Sequence, residues 1–449
     1  MVEERKKNHL SLLKDLVRIP SMSTDPSSKT AVQEASRWLV DHLKTIGADE
    51  VRVLETPLHP VVWAQFRSTR SGDVPTLLIY GHYDVQPVDP LDLWESPPFE
   101  PEQRGHRLYG RGASDMKGQV MATIHAVAAA VAAGDLPVHV RFLLEGEEEM
   151  GSPSLAGVLK EHGELFKADV CLNPDTGMIA KGHPSIQYGL RGLAYFDLTV
   201  RGPARDLHSG QFGGVVHNPL QALSELISGM HDEYGRVTLP DFYDRVRTIP
   251  EEERQLLSSV PVTNEVVQRT SGVPSLWGEP EYSVPERIGT RPTLEINGMW
   301  GGYTGEGSKT VIPAEAHAKI STRLVPDQDY RQIRGQLERY LHEHAPATVR
   351  WELNELAGGQ PFICDPDSPA HAAFARALEA VWQTKPLRWR IGGSVPVARD
   401  LQDMLGVPSV LSGFALSEDQ VHSPNESIDL QEWYKGIEAV TRFLYELVG

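Results

Sequence analysis

Four short apolar runs, each giving way to polar residues, organise the pattern along this chain. Thr76-Leu77-Leu78-Ile79-Tyr80 runs into Gly81-His82-Tyr83-Asp84-Val85. Val138 to Leu144, broken only by His139 and Arg141, runs into Glu145-Gly146-Glu147-Glu148-Glu149-Met150-Gly151-Ser152. Asp169-Val170-Cys171-Leu172 runs into Asn173-Pro174-Asp175-Thr176-Gly177, and Val407-Pro408-Ser409-Val410-Leu411 is followed after a loop by His422-Ser423-Pro424-Asn425-Glu426. Near-continuous apolar runs of this length read as strands buried in a parallel sheet. From Ser11 to about Gly189 they alternate with helix-like segments, among them the Ala-rich stretch Gln119 to Ala133, as in an α/β domain. Ligand sites in such sheets form beyond the carboxyl ends of the strands, where these polar residues fall.

After Tyr188-Gly189-Leu190-Arg191-Gly192 the pattern changes. Residues 194–201 alternate as a strand with one wet face, and Ala316 to Val325 repeats that reading. Asn218-Pro219 supplies an N-cap and a proline for the first helical position, ahead of an apolar stripe at Leu220, Leu223, Ile227 and Met230. A Pro-rich, weakly periodic stretch spans about 236 to 291, and a last helix is expected over about 431 to 448. The organisation expected is an insertion: a mostly parallel-sheet α/β domain interrupted by an α+β domain.

Adjacent acids at a strand end repel one another, so the Glu147-Glu148-Glu149 run calls for a cation or a chemical task. Between the first two acidic segments lies Gly110-Arg111-Gly112-Ala113-Ser114-Asp115-Met116-Lys117-Gly118, a Gly-rich loop around one Asp. Two His and several carboxylates at strand ends, with no thiolate, suit a pair of divalent first-row metals. No G-x-S-x-G elbow surrounds any serine, which argues against serine chemistry despite Gly392-Gly393-Ser394.

In this ordered set of motifs, from about Leu10 onward, the chain resembles the di-zinc metallopeptidase family of carnosinase-type dipeptidases, aminoacylases and acetylornithine deacetylase, the dipeptidase branch most closely. The resemblance implies metal ligands at His82, Asp115, Glu149, Asp175 and His422. Asp115 would bridge two ions, His82 and Asp175 completing one site, Glu149 and His422 the other. With Gly151-Ser152 anchoring the register of the acidic run, the resemblance implies Glu148 as the general base and Asp84 as the carboxylate that orients His82. The resemblance further implies a cis peptide at Asp115-Met116. His208, in Asp206-Leu207-His208-Ser209-Gly210, would reach a partner subunit's active site, and an inserted domain at 191–355, between catalytic parts at 1–190 and 356–449, would serve as lid and dimerisation domain. Arg323 would grip a substrate carboxylate, and Thr310 and Ser394 would touch substrate. The implied reaction is hydrolysis of dipeptides or short peptides with a free C-terminal carboxylate, the alternative being an N-acyl-amino-acid deacylase or carboxypeptidase. Two divalent ions per subunit are implied, Zn²⁺ first, with Mn²⁺ or Co²⁺ as alternatives.

Composition bears on the partners. The 449 residues carry a formal net charge of −18, with a pI near 5.4, which argues against nucleic acid or an anionic membrane as partner. Cys171 and Cys364 belong to no zinc or redox motif, so a reduced compartment is expected. The charged start of the chain shows no apolar core or cleavage pattern of a signal peptide, which makes the cytoplasm the expected location. Gly301 to Gly307 lacks the Lys-Ser/Thr context of a phosphate loop. His59, His106, His125, His139, His162, His183, His217 and His231 match no motif, and His371, opening a helix, is expected at the surface. Two further readings, a metal-free scaffold homologue and a two-metal phosphoesterase, lack support: no matched ligand is missing, and no basic cluster awaits a phosphate.

Overall fold

The computed structural model describes residues 2–393 and 396–449. Contacts divide the described chain into two compact units: one from Met1–Tyr188, Cys364–Arg388 and Val397–Gly449, the other from Gly189–Ile363 and Trp389–Pro396. The second interrupts the first in sequence.

In the first unit the strands lie in the order Glu50–Leu54, Val61–Phe66, His139–Glu145, Thr76–His82, Val170–Asn173, Ser409–Leu411 and Ser185–Leu190. The four central ones, His139–Glu145 to Ser409–Leu411, are parallel, and the flanking pairs are antiparallel. Parallel pairing aligns carboxyl ends: His82 is the register partner of Glu145, and Leu411 that of Asn173. Leu77, Leu78 and Ile79 are fully buried, as are Val140, Phe142 and Leu143, which accounts for runs without polar alternation. Burial of each such side chain stabilises the fold by about 1.5–3 kcal/mol relative to exposure.

The helix Lys117–Ala132 is buried almost all round, from Lys117 through Val127, because helices Val2–Val17 and Leu430–Glu446 and the His82 strand pack against it. An apolar Ala-rich sequence without a polar face suits that central position. Leu430–Glu446 is amphipathic instead, burying Trp433, Val440, Phe443 and Leu444, and Asp429 caps it by accepting from the N–H groups of Gln431 and Glu432.

The inserted unit is α+β. Its antiparallel sheet has the order Thr293–Gly301, Glu315–Leu324, Gly192–Arg201, Arg350–Gly359. Ala194, Phe196, Leu198 and Val200 point with Ala316, Ala318 and Ile320 into a core completed by helices Pro219–Ser228 and Tyr330–His344. Asp197 and Lys319, on alternate positions, form a 3.6 Å ion pair. The Asn218 side chain accepts from Leu220 N–H at 3.0 Å with Pro219 in the first turn, as the sequence suggested. The Pro-rich stretch 236–291 is not structureless: it holds the short helices Glu251–Ser258, Asn264–Ser271 and Val284–Thr290.

Candidate metal centre

The carboxyl ends of the parallel strands bring the first polar residues together. The ligand atoms of His82, Asp115 and Asp175 lie within 4.8 Å of one another, and so do those of Asp115, Glu149 and His422. His82 Nε2 is 3.1 Å from Asp115 Oδ1 and 3.8 Å from Asp175 Oδ1. His422 Nε2 is 2.9 Å from Asp115 Oδ2 and 3.3 Å from Glu149 Oε2. Each oxygen of Asp115 therefore faces a different imidazole.

Surrounding groups fix these orientations. His82 Nδ1 is 3.1 Å from the carbonyl oxygen of Asp84, which can only accept, so Nδ1 carries a proton and Nε2 is the ring atom turned to the cluster. The Asp84 carboxylate, 3.4 Å from the same Nδ1, accepts in turn from the N–H groups of Glu148 and Glu149, at 3.3 and 3.0 Å. One carboxylate thus ties the His82 ring to the turn that carries the acidic run. Gln86 Nε2 donates to Glu149 Oε2 at 2.7 Å.

Asp115 owes its place to Glu426, which the sequence reading did not single out. The fully buried Glu426 carboxylate accepts from the N–H groups of Gly112, Ser114 and Asp115 at 2.9, 2.9 and 3.0 Å, and from Arg111 Nη1 at 2.8 Å. Gly112 has φ +83, and a Cβ there would stand 2.6 Å from Val85 Cγ1, so the loop takes glycine at that point. The Asp115-Met116 peptide is cis. His422 adopts φ +63 in the loop that also carries Glu426.

The electrostatics are those of a site rich in negative charge. Burial, and then the charges of Asp175 and its neighbours, push Glu148 well above the ordinary carboxylate range. Burial, with the charges of Asp115 and Glu149, raises Asp175 likewise. Burial alone would lower His82, yet its contacts with Asp115 and Asp84 hold it well above its usual value. Hydrogen bonds to Asp115 and Glu149 raise His422 to about 10. Carboxylates drawing protons onto the site, with imidazole and carboxylate donors and no thiolate, form a donor set that fits borderline divalent cations.

Other sequence candidates lie in the inserted unit. His208 pairs with Val311 on a two-residue strand, and Ser209 N–H donates to the Thr310 carbonyl, so His208 and Thr310 are neighbours. Both are exposed, and His208 Nδ1 accepts from Gly210 N–H at 3.0 Å. Arg323, half-buried, lies between Thr293 and Leu193 in the sheet. Ser394 lies outside the described residues. Glu147 is 2 % exposed and turned to structural work, accepting from the Thr56 hydroxyl and the N–H groups of His59 and Ser154. His371 is a correction: it is 1 % exposed rather than at the surface, because Ser368 Oγ and Cys364 Sγ meet its two ring nitrogens at 2.7 and 3.4 Å.

Residues 78–446 match peptidase family M20/M25/M40. A Cys-Gly metallodipeptidase of Schizosaccharomyces pombe is 32% identical over 100% of this chain and 97% of its own. The crystal structure of human carnosine dipeptidase 1 superposes with a TM-score of 0.85 at 30% identity, covering 99% of this chain and 97% of that one. A family M20 metallo-carboxypeptidase from Sulfolobus solfataricus gives a TM-score of 0.87 at 32% identity, covering 98% and 99%. With a family match over most of its length and relatives aligned end to end, this chain belongs to peptidase family M20/M25/M40 and is a hydrolytic peptidase.

Proposed function

We propose that the protein hydrolyses the amide bond of dipeptides or short peptides that end in a free carboxylate, using two divalent ions and Glu148 as general base. The observation that carries this reading is Asp115, whose two oxygens face two separate imidazole–carboxylate clusters. Asp115 would hold both ions, with His82 and Asp175 on one and Glu149 and His422 on the other. Bound there, a pair of such ions supplies Lewis acidity and lowers the pKa of water from 15.7 toward ~7. Glu148 takes a proton from the attacking water and returns it to the leaving amine. Asp84 keeps the His82 proton on Nδ1 throughout. Arg323 grips the terminal carboxylate with its planar fork, and Thr310 and Ser394 are substrate-contacting residues. His208 serves as an oxyanion donor in the active site of a partner subunit, the inserted domain acting as lid and dimerisation surface.

Zn²⁺ is the first choice of ion, with Mn²⁺ or Co²⁺ as alternatives. The relatives' names favour dipeptides, while the likeness to the Sulfolobus enzyme favours carboxypeptidase action as the second reading, with N-acyl-amino-acid deacylation beside it. Both cysteines are free, which supports the cytoplasm as the site of action. No described helix is long and apolar enough to cross a membrane.

The test is a metal assay together with a substrate panel: Cys-Gly, β-Ala-His, a tripeptide, an N-blocked dipeptide and N-acetylornithine. Two ions per chain and fastest turnover on unblocked dipeptides are expected. Preference for the N-blocked peptide or for acetylornithine would move the assignment to the second reading, and full activity after exhaustive chelation would end both.

A further inference from the structure

A short stretch at the end of helix Val2–Val17, running from Leu16 to Ser23, is bonded to the loops that carry His82, Asp115 and Glu149. The Lys117 ammonium, fully buried just after Asp115, donates to the carbonyls of Leu16 and Ile19 at 3.2 and 2.6 Å. Ser21, also fully buried, brackets Asp84: its hydroxyl donates to the Tyr83 carbonyl at 2.6 Å, and its own carbonyl accepts from Val85 N–H at 3.0 Å. The Ser23 carbonyl lies 3.2 Å from His59 Nε2, and His59 N–H donates to Glu147 Oε1 at 2.8 Å, in the turn that bears Glu148 and Glu149. A Cβ on Gly110 would stand 2.9 Å from Val17 Cγ1, so the start of the Asp115 loop also lies against this stretch. Carbonyls in the last turn of a helix lack an intrahelical donor, and a cation suits that end. Taking an ammonium out of water is nevertheless costly. An apolar side chain would fill the space without that cost, whereas Lys117, bonded to two carbonyls, adds a fixed direction to the start of helix Lys117–Ala132.

We propose that the stretch from Leu16 to Ser23 is the mount of the metal centre, with Lys117 and Ser21 as positioning residues. Lys117 ties the Asp115 loop to the mount. Ser21 holds the backbone on both sides of Asp84 and, through Asp84, the His82 ring. The proposal rests on the two-ion reading given above. It gives a part of the chain that holds none of the five ligand candidates a share in how tightly both ions are bound.

The test measures the stepwise dissociation constants for Zn²⁺, by competition with a chelating indicator, together with the visible spectrum of the Co²⁺-loaded protein and the melting temperature of the metal-free protein. The variants are Lys117→Met, Ser21→Ala, Ser21→Thr and Leu13→Ala. Leu13, fully buried in the same helix, is the control: its truncation removes packing and lowers the melting temperature but breaks none of the hydrogen bonds to the loops. Loss of a contact that orients a ligand typically weakens metal binding by about 10–100-fold, so Lys117→Met should weaken both ions by about tenfold or more, since both depend on Asp115. Ser21→Ala should weaken one of the two by a similar factor and change the Co²⁺ spectrum. Ser21→Thr, which keeps the hydroxyl, should recover most of that loss. Leu13→Ala should keep both wild-type constants. If Lys117→Met does not fold, the two Ser21 variants and Leu13→Ala carry the comparison. Wild-type constants in Ser21→Ala or in folded Lys117→Met, or an equal weakening in Leu13→Ala, overturn the proposal. Asp115→Asn is the reference: if it keeps both wild-type constants, or if wild type binds fewer than two ions, the two-ion reading fails and the proposal with it.

Discussion

Glu147, Glu148 and Glu149 are neighbours in sequence, but their carboxylates meet different company. Glu147 closes a hydrogen-bonded turn with Thr56, His59 and Ser154, and Glu149 faces Asp115 and His422. Under the proposed mechanism, Glu148→Gln keeps metal binding and lowers kcat by about 10²–10⁴-fold, because an amide cannot take the proton. Glu149→Gln instead lowers metal occupancy, measured by elemental analysis after dialysis; equal behaviour of the two variants would mean the register has been misassigned. A second residue-scale consequence concerns His9, His42 and His125. His9 stacks on His125 at 4.0 Å, and His42 meets the His125 ring edge-on at 6.3 Å. Burial lowers all three, and burial with the charges of His9 and His42 takes His125 to about 3; Arg5 adds to the lowering of His9. Below pH 6.5 the unfolded chain therefore binds more protons than the folded one. The stability due to the neutral rings is whole above pH 6.5 and is lost as pH falls toward 3. Urea midpoints at pH 7 and pH 5 should converge in His125→Gln relative to wild type.

At the scale of elements, the Gly110–Gly118 loop shows how backbone conformation governs chemistry. Gly112→Ala forces a side chain toward Val85 at φ +83, so lower metal occupancy is expected with a melting temperature a few degrees lower. The helix start at Asn218-Pro219 allows a plainer test: Asn218→Ala should cost about 1 kcal/mol without changing KM. That cap was legible in sequence, as were the parallel strands, because continuous apolar runs and local capping chemistry are short-range signals. The helices within 236–291 were not recognised, since each is only two turns long and too short to show a stripe. Their signals were local: Ser283 N–H donates to Glu286 Oε2 at 2.6 Å, and Gly272 ends another helix at φ +74. His371 was misread because its position near a helix start says nothing of Cys364, which fills the space beside it. The five ligand candidates were visible because each follows a distinctive motif. Glu426 and Gln86 were not, since their work depends on contacts that only the fold creates.

At the scale of the whole molecule, the proposed exchange of His208 between subunits makes catalysis a property of a pair. Mixing inactive His208→Ala with inactive Glu148→Gln should restore activity in heterodimers, where one active site receives both an intact base and an intact histidine. Recovery approaching a quarter of wild-type turnover is expected for random exchange of equal amounts, since half the dimers are mixed and each has one complete site of two; loss of a single oxyanion donor costs about 10²–10³ in kcat. A mixture as inactive as its parents, once subunit exchange is verified, would place His208 within its own chain's chemistry or outside it. The Glu426 clamp carries a different consequence, about time. Its carboxylate reaches back 311 to 315 residues to collect Asp115, Ser114, Gly112 and Arg111. During synthesis from the amino terminus, the loop bearing Asp115 leaves the ribosome long before the residue that shapes it. His82, Asp115 and Asp175 exist early as a partial set, but the backbone that aims Asp115 settles only when the region around residue 426 has emerged. A chain still growing toward that region therefore holds these three side chains without the contact that aims Asp115.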